Sequence, residues 1–294
     1  VNDNSPVFTS SATFSAAENQ TAIDTVTATD ADGDSVTFVV SGSELAITSA
    51  GVLTFASAPD YETKSSYTAT VTANDGTNTT TQAITVNVTN VNDNAPVFTS
   101  SYRFTAAENQ TAIGRVTATD ADGDPVTFTV SASDGDGYAV SITSAGVLTF
   151  KHPPNYERNP VYRGIIVTAT DGTNSTTDDL YIAVTDVNDP PRFTSSYTFS
   201  AAENQTAIGT VAASDQDGDT ITYSISGSDI TINSSSGVIA FASAPDFETK
   251  ASYTATVTAS DGTTTTTQAI TVNVTNVNDN SPVFTSSATF SAAE

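Results

Sequence analysis

The chain of 294 residues has no cysteine, no methionine and no tryptophan, and its single histidine is His152. Without cysteine, a disulfide, a zinc–thiolate site and a thiol nucleophile are all excluded. No nucleophile with a recognisable sequence context accompanies His152, so we predict that this residue lies on the surface and that the protein is not an enzyme. Because the chain begins at Val1 and lacks Met, we expect an internal or processed segment of a longer array.

Basic residues are also scarce: eight lysines and arginines stand against 33 aspartates and glutamates, which gives a formal net charge of -25. A nucleic acid or an anionic membrane surface is therefore excluded as a partner, because either would need clustered lysine and arginine. No apolar run is long enough to span a bilayer, which predicts that this segment does not insert into a membrane. Val, Ile, Phe and Tyr are plentiful and alternate with Thr, a pattern typical of a soluble all-β protein.

Internal repeats decide the architecture. The string Ala-Ala-Glu-Asn-Gln-Thr-Ala-Ile begins at Ala16, Ala106 and Ala201. Period-two alternation, as in Val36, Phe38 and Val40, predicts half-buried strands, and about seven short strands per repeat predict a β-sandwich. The predicted domains are repeat 1 (residues 1–93), repeat 2 (94–188), repeat 3 (189–279) and a first-strand stub of a fourth repeat (280–294).

Acidic residues recur at the same places in each repeat. The first set ends a strand, and alternate residues of an extended chain point to one side, so each pair of carboxylates would face the same way. The second set has the same spacing, and its middle aromatic residue is expected to face the core. Oxygen ligands in this number, without His or Cys, select calcium. The two sets are Asp30-Ala-Asp32, Asp120-Ala-Asp122 and Asp215-Gln-Asp217, and Asp60-Tyr-Glu62, Asn155-Tyr-Glu157 and Asp246-Phe-Glu248.

These elements, taken in order, resemble the cadherin repeat, and the resemblance covers all three repeats. It implies seven-stranded Greek-key sandwiches arranged end to end, with about three calcium ions at each junction, bound jointly by one repeat, the linker and the next repeat. The residues that carry it are Glu18, Glu108 and Glu203, Asp60 with Glu62, the linker 90–96, Asp120 with Asp122, and the Ala-x-Asp elements at Asp75, Asp171 and Asp261.

The resemblance also implies a ligand set for each junction. The first junction would use Glu18, Asp60, Glu62, Asn90, Asn92, Asp93, Asp120, Asp122 and Asp171, with the carbonyls of Val91 and Asn94. The second junction would use Glu108, Asn155, Glu157, Asp186, Asn188, Asp189, Asp215, Asp217 and Asp261. Partial sets near the two ends would use Asn2, Asp3, Asp30, Asp32 and Asp75, and Glu203, Asp246, Glu248, Asn276, Asn278 and Asp279. Asn90 and Asn155 replace the aspartates that the family usually has, so each is expected to weaken one ion.

The functional prediction is a calcium-stiffened stalk or spacer in cell-surface adhesion, located outside the cell or on its surface, in a large bacterial surface or secreted protein. Two alternatives stay open: direct homophilic or carbohydrate-binding adhesion, and filament assembly by exchange of residues 277–294, which are identical to residues 1–18. Repeat 2 differs in sequence from its neighbours, and two explanations are open: simple sequence drift, or a loop surface that binds a partner. It holds an insertion at 133–138 and the basic residues Arg103, Arg115, Lys151, Arg158 and Arg163.

Overall fold

The computed structural model describes residues 2–132, 139–286, 288–289 and 291. The chain forms two compact units. The first contains Val1–Pro154 and Val161–Val184, and the second contains Asn155–Pro160 and Thr185–Glu294. Both units consist of β-strands joined by turns. Residues 133–138, where the sequence raises the hypothesis of a binding loop, lie outside the described residues.

Within the described residues, the same series of nine strand segments occurs three times. In repeat 1 the segments are β1 (Val7–Phe8), β2 (Thr13–Ala17), β3 (Ala22–Thr25), β4 (Ala28–Thr29), β5 (Thr37–Val40), β6 (Leu45–Ile47), β7 (Val52–Phe55), β8 (Ser66–Asn74) and β9 (Thr79–Thr89). In repeat 2 they are β10 (Val97–Phe98), β11 (Arg103–Ala107), β12 (Ala112–Arg115), β13 (Ala118–Thr119), β14 (Thr127–Ala132), β15 (Val140–Ile142), β16 (Val147–Phe150), β17 (Val161–Thr170) and β18 (Ser175–Thr185). In repeat 3 they are β19 (Arg192–Phe193), β20 (Thr198–Ala202), β21 (Ala207–Thr210), β22 (Ala213–Ser214), β23 (Thr222–Ile225), β24 (Ile230–Ile232), β25 (Val238–Phe241), β26 (Ser252–Ser260) and β27 (Thr265–Thr275).

Each repeat is a sandwich of a four-stranded and a three-stranded sheet. In repeat 1 the orders are β2-β9-β8-β5 and β3-β7-β6, with a separate pair β1-β4. The β2–β9 pair is parallel and the other pairs are antiparallel. Each repeat has nine segments where seven strands were predicted, because the first two strands are each divided into two segments. In repeat 1, β1 and β2 form the first strand: β1 pairs with β4, and β2 pairs with β9 in the four-stranded sheet. The all-β sandwich prediction is confirmed.

The core of each repeat follows the predicted alternation. In β8, Val71 and Ala73 are fully buried, Thr72 between them is half-buried, and Thr70 before them and Asn74 after them are exposed. Tyr61, the aromatic residue of the Asp60–Glu62 element, packs against this core as predicted. Period two thus places apolar side chains between the sheets and threonines on the outer faces.

One glycine in each repeat is required by a close backbone contact. Gly51 has a φ of +88°, and a Cβ atom there would lie 2.1 Å from the carbonyl oxygen of Val26. The Val26 amide donates to the Gly51 carbonyl at 2.8 Å, which holds the two segments together. Gly146 and Gly237 occupy the same position in repeats 2 and 3. Only glycine fits, because any side chain would collide with backbone that cannot move aside.

The predicted stub after residue 279 forms no strand in its described part, 280–286, 288–289 and 291. Val283 is 83% exposed and Phe284 is 94% exposed. The identical residues Val7 and Phe8 form β1 by pairing with β4. Strand formation at this sequence therefore depends on a partner strand, since two residues alone bury too little surface to hold an extended conformation.

Candidate metal centre

The first junction is organised around a buried carboxylate. Glu18 follows β2 and is only 3% exposed. Its Oε1 accepts a hydrogen bond from the Val91 amide at 2.8 Å, and its Oε2 accepts one from the Tyr61 amide at 2.8 Å. A buried charge is tolerated when backbone donors satisfy it, so Glu18 fixes the linker against the turn that carries Glu62.

The same arrangement recurs in repeat 3. Glu203 is 3% exposed and accepts hydrogen bonds from the Phe247 amide at 2.8 Å and the Val277 amide at 2.7 Å. Glu108 of repeat 2 is 2% exposed. The glutamate that closes the first strand is therefore buried in each repeat, and a solvated surface role is excluded for it.

Asp122 receives the linker from the side of repeat 2. Its Oδ2 accepts hydrogen bonds from the amides of Asp93 at 3.2 Å and Asn94 at 2.9 Å. Its Oδ1 accepts one from Nδ2 of Asn94 at 3.0 Å, and Nδ2 of Asn90 donates to the Asp122 carbonyl at 2.9 Å. Burial would raise the pKa of Asp122, but the hydrogen bonds from Asn94 outweigh it and hold this pKa below its usual value.

The partial set at the start of the chain repeats this contact. Oδ2 of Asp32 accepts hydrogen bonds from the amides of Asp3 at 3.0 Å and Asn4 at 2.9 Å. Oδ1 of Asp32 accepts a third from Nδ2 of Asn4 at 2.9 Å. These bonds, led by the one from the Asn4 amide, hold the pKa of Asp32 below its usual value. The contact between linker and Asp-x-Asp element is therefore a property of the repeated sequence.

The prediction that the Asp-x-Asp pairs lie in extended chain is wrong. Oδ1 of Asp120 accepts a hydrogen bond from the amide of Asp122 at 3.0 Å, and Asp30 and Asp215 accept the matching bonds at 2.8 Å and 3.0 Å. An aspartate that accepts from the amide two residues on closes a turn, and this local bond overrides the extended conformation. The two carboxylates still reach one site, but through a turn.

The Asp-x-Glu element is also a turn rather than extended chain. Oδ1 of Asp60 accepts from the amide of Thr63 at 3.1 Å, and Oδ2 accepts from the Thr63 hydroxyl at 2.9 Å. The Thr63 hydroxyl, followed by its amide, holds the pKa of Asp60 below its usual value. Asn155 performs the same capping, because its Oδ1 accepts from the Arg158 amide at 2.8 Å. Asparagine at this position therefore preserves the turn while removing a charge.

Four carboxylates converge at the first junction. Glu18, Glu62, Asp93 and Asp122 each contribute an oxygen, and these oxygens all lie within 4.8 Å of one another. Burial, followed by the negative charges of Glu18 and Asp122, raises the pKa of Glu62 above its usual value. Like charges this close repel strongly, which is the electrostatic condition under which a divalent cation is bound.

Buried carboxylate oxygens without a hydrogen-bond partner test whether a cation fits. At the first junction, Oδ2 of Asp120 and Oδ2 of Asp171 are both buried and have no hydrogen-bond partner among the described residues. The other oxygen of Asp171 accepts from the amides of Thr173 at 2.6 Å and Asn174 at 2.7 Å, so the carboxylate is held with one oxygen left over. A buried charged oxygen without a partner is costly, and a metal ion would satisfy it. The donor set fits calcium, which takes six to eight oxygen ligands.

The same unpaired oxygens recur in the other predicted sets. Repeat 1 has them at Asp30 and Asp75, and repeat 3 has them at Asp215 and Asp217. In Asp30 and Asp215, Oδ1 accepts the hydrogen bond that closes the turn. Oδ2 of each is buried and has no hydrogen-bond partner among the described residues. Recurrence at equivalent positions favours a ligand role over chance placement.

Two site residues were missed by the sequence analysis. Nδ2 of Asn174 donates to Oδ1 of Asn92 at 2.9 Å and to the Asn94 carbonyl at 3.2 Å, which positions the linker oxygens. Nδ2 of Asn78 does the same with Oδ1 of Asn2 at 3.2 Å. The signal was available, because both asparagines lie three residues after the aspartate of the Ala-x-Asp element.

Repeat 3 has threonine at that position. The hydroxyl of Thr264 donates to Oδ2 of Asp261 at 2.5 Å, and Nδ2 of Asn188 donates to the same oxygen at 2.9 Å. These two bonds lower the pKa of Asp261 strongly, the Thr264 hydroxyl contributing most. Oδ1 of Asp261 accepts from the amides of Thr263 and Thr264, so this carboxylate is hydrogen-bonded at both oxygens, unlike that of Asp171.

The residues of the second junction that belong to the second unit also converge. Oxygens of Glu157, Asp186 and Asp217 lie within 4.8 Å of one another. Asp217 differs from Asp122 because Pro190 stands where Asn94 stands at the first junction. Proline has no amide proton, so Asp217 accepts from the linker through the Asp189 amide at 2.6 Å, and its Oδ1 is one of the unpaired buried oxygens.

The set after repeat 3 is partly assembled. Oxygens of Glu203, Asp246 and Glu248 lie within 4.8 Å of one another. Nδ2 of Asn276 donates to Oε1 of Glu248 at 3.0 Å, and Nδ2 of Asn204 donates to Oδ2 of Asp279 at 2.5 Å. Asn278 is exposed. His152 is exposed too, as predicted.

Known proteins resemble this chain along most of its length. Residues 197–275 match the family model described as Cadherin domain, and residues 92–183 match the one described as Bacterial Ig domain. Cadherin EGF LAG seven-pass G-type receptor 2 of Mus musculus is 34% identical over 262 residues, which is 81% of this chain and 9% of the relative. Cadherin-23 of Rattus norvegicus is 38% identical over 259 residues, which is 76% of this chain and 8% of the relative.

The chain is built of cadherin-like repeats. It spans less than a tenth of the length of these two curated relatives, which it matches at 9% and 8% of their lengths. The crystal structure of mouse cadherin-23 EC22-24 covers 94% of this chain, with a TM-score of 0.58 and 24% identity, and all of that structure is matched. At this identity the likeness shows the fold: cadherin-like β-sandwiches in tandem. Among the described residues, no helix has the length and apolar character that a membrane crossing requires.

Proposed function

We propose that this chain is an extracellular array of calcium-binding cadherin-like repeats that acts as a stalk or spacer in cell-surface adhesion. Calcium at the junctions stiffens the connection between neighbouring repeats. The observation that carries the proposal is the pair of buried, unpaired carboxylate oxygens of Asp120 and Asp171 at the linker of the first junction. A non-catalytic, structural role agrees with the recurrence of one acidic set in every repeat.

Calcium supplies the positive charge that this set of carboxylates lacks. At the first junction, Glu18, Glu62, Asp93 and Asp122 would hold it, together with the unpaired oxygens of Asp120 and Asp171. Magnesium is a poorer fit, because it usually keeps several waters and binds through one or two carboxylates. By recurrence of the sequence, we extend the proposal to about three ions at each complete junction.

The mechanical consequence follows from where the linker amides donate. The Val91 amide donates to Glu18 of repeat 1, and the amides of Asp93 and Asn94 donate to Asp122 of repeat 2. A cation that holds Glu18 and Asp122 together therefore also fixes the short linker between them. Residues 1–93, 94–188 and 189–279 would then be modules joined stiffly in calcium and loosely without it.

Calorimetry tests the ligand assignment. In Asp171→Asn, the side-chain oxygen still accepts from Thr173 and Asn174, while an amide group replaces the unpaired oxygen. We expect an unchanged melting temperature in chelator and weaker calcium binding, by about tenfold for the loss of one ligand charge. Asp24→Asn, which changes an exposed aspartate on β3, is the matched control and should bind calcium like the parent chain. Equal affinity of Asp171→Asn and the parent would remove Asp171 from the site.

Small-angle scattering tests the mechanical role. If calcium stiffens the junctions, the radius of gyration and maximum dimension of the whole chain should differ between millimolar calcium and chelator. A compact chain of this length would have a radius of gyration of about 19 Å, and a stiff array should exceed it clearly. An identical scattering curve with and without calcium, in a chain shown to bind calcium, would refute the stiffening and leave only the binding.

A further inference from the structure

The outer face of the four-stranded sheet carries a transverse row of threonines in repeats 1 and 3. In repeat 1, Thr13 of β2 is opposite Thr85 of β9, which is opposite Thr68 of β8. In repeat 3 the same positions are Thr198, Thr271 and Thr254. These rows are uncharged and have no aromatic side chain.

Repeat 2 replaces this row by a cationic and aromatic one. The Tyr181 amide donates to the Tyr102 carbonyl at 2.9 Å, as the Thr85 amide donates to the residue before Thr13, so Tyr181 and Arg103 occupy the positions of Thr85 and Thr13. On the other side, the register of β17 shifts between Tyr162 and Ile165, which places Arg163 in a bulge beside Tyr181. The matching pairs of repeats 1 and 3 have no such shift, and bulges commonly re-aim a side chain at a functional surface.

Both arginines stack on the same ring. The guanidinium carbon of Arg103 lies 5.0 Å from the centre of the Tyr181 ring, and that of Arg163 lies 5.3 Å from it. Arg103 also lies 5.6 Å from the ring of Tyr102, which is 47% exposed. Two like charges held on one aromatic ring form a rigid pair of donors, because the ring offsets part of their repulsion and fixes their positions.

These arginines keep their charge free for a ligand. Lys64 and Lys250 of repeats 1 and 3 also lie over tyrosine rings, but each forms an ion pair, with Glu44 and Asp229 respectively. Arg103 and Arg163 are exposed and form no ion pair among the described residues. Asp179 lies on the same face of β18 as Tyr181, but its neighbour on β17 is Ile166 and not Arg163.

We propose that the row Arg103–Tyr181–Arg163 on the outer sheet face of repeat 2 binds an acidic polysaccharide through its carboxylate or sulfate groups. Guanidinium forks pair with both groups, and the row places two positive charges together on a chain whose net charge is -25. The neighbouring outward positions of β14 and β18 carry hydroxyl side chains that hydrogen-bond to sugars, among them Thr129, Ser131 and Thr177.

The proposal is tested by measuring how the whole chain binds to immobilised polygalacturonate, dextran sulfate and neutral dextran. Polyglutamate is included as an acidic polypeptide, to compare a protein partner with a polysaccharide. The two anionic polysaccharides separate carboxylate from sulfate recognition. Measurements in chelator and in calcium keep this site distinct from the proposed metal centre. We expect both anionic polysaccharides to bind at physiological salt, neutral dextran not to bind, and affinity to fall as salt rises.

Variants of this row replace its residues with threonine, the residue at the equivalent positions of repeats 1 and 3. Arg103→Thr with Arg163→Thr puts the threonine of repeats 1 and 3 on both sides of Tyr181 and should weaken binding by at least about tenfold, which corresponds to the loss of a single charged hydrogen bond. Arg115→Thr is the matched control for Arg103→Thr alone and for Arg163→Thr alone: like each of them it removes one positive charge, but from the other sheet of repeat 2, where repeats 1 and 3 also have threonine. Tyr181→Thr should weaken polysaccharide binding without changing the net charge. Tyr181→Phe keeps an aromatic ring under the arginines and should bind like the parent chain.

Thermal melting of each variant checks that repeat 2 remains folded, and Arg103→Thr alone serves if the double variant does not fold. The proposal is overturned if Arg103→Thr and Arg163→Thr, each made alone, bind like Arg115→Thr, since binding would then reflect net charge alone. It is equally overturned if polyglutamate binds as tightly as the polysaccharides, which would point to an acidic protein partner, or if neither anionic polysaccharide binds at physiological salt.

Discussion

Replacing the buried glutamate of the first junction separates its hydrogen-bonding role from its charge. In Glu18→Gln, the amide oxygen can still accept one of the two backbone hydrogen bonds, from Val91 or Tyr61, each 2.8 Å long in the parent. The other amide then faces an NH2 group. In chelator, the lost bond destabilises repeat 1, whereas removing a negative charge near Glu62 relieves repulsion. These two effects oppose each other, so the informative quantity is the calcium-induced change in melting temperature.

The expected magnitude follows from the four converging carboxylates. Removing one of the four charges should weaken calcium binding by about tenfold, because ligand charge count sets calcium affinity. With calcium in excess, a tenfold weaker dissociation constant removes about 1.4 kcal/mol of stabilisation. For a module of fewer than one hundred residues, each kcal/mol corresponds to about 4–8 °C. The calcium-induced rise in melting temperature should therefore shrink by about 6–11 °C.

Calorimetric melting with and without calcium measures this difference. Glu44→Gln is the control, because Glu44 is an exposed partner of Lys64 and such surface ion pairs contribute little. Its calcium-induced rise should equal that of the parent. If Glu18→Gln shows the full parental rise, the buried carboxylate holds the backbone only, and our placement of the cation beside Glu18 is refuted.

Three further predictions concern single positions. Gly51→Ala should destabilise repeat 1 by about 4 kcal/mol or more, because the added Cβ collides with the Val26 carbonyl oxygen. Gly42→Ala, where φ is +83° but no atom lies within 4 Å, should cost only about 1–2 kcal/mol. Equal melting temperatures of the two variants would contradict the collision at Gly51. Asn155→Asp should keep the turn and raise calcium affinity, so unchanged calorimetric titrations would show that this position holds no ion. Pro190→Asn should raise the melting temperature of repeat 3 in chelator by adding donors to Asp217, and a lower temperature would show that the rigidity of proline matters more.

Much of this architecture is determined locally by the sequence. The repeat count, the sandwich class and the oxygen-rich ligand chemistry follow from recurrence and from period-two alternation, as in Val71 and Ala73. Recurrence and alternation predict the same strands in any tertiary arrangement that buries one face of each strand. The backbone conformation of the acidic elements was not predictable in this way, because an aspartate such as Asp120 closes a turn by a side-chain bond that spacing alone does not reveal.

The tertiary structure alone decided which atoms remain unsatisfied and which distant residues meet. The amides of Thr173 and Asn174 bind one oxygen of Asp171 within a local turn, but the burial of its Oδ2 depends on the linker, which packs on this turn through Asn92 and Asn174. The pairing of Arg103 with Tyr181 depends on strands far apart in the chain being adjacent in one sheet. Such contacts arise from sheet register and from one bulge, which are set by the packing of the whole sandwich and not by any local run of residues.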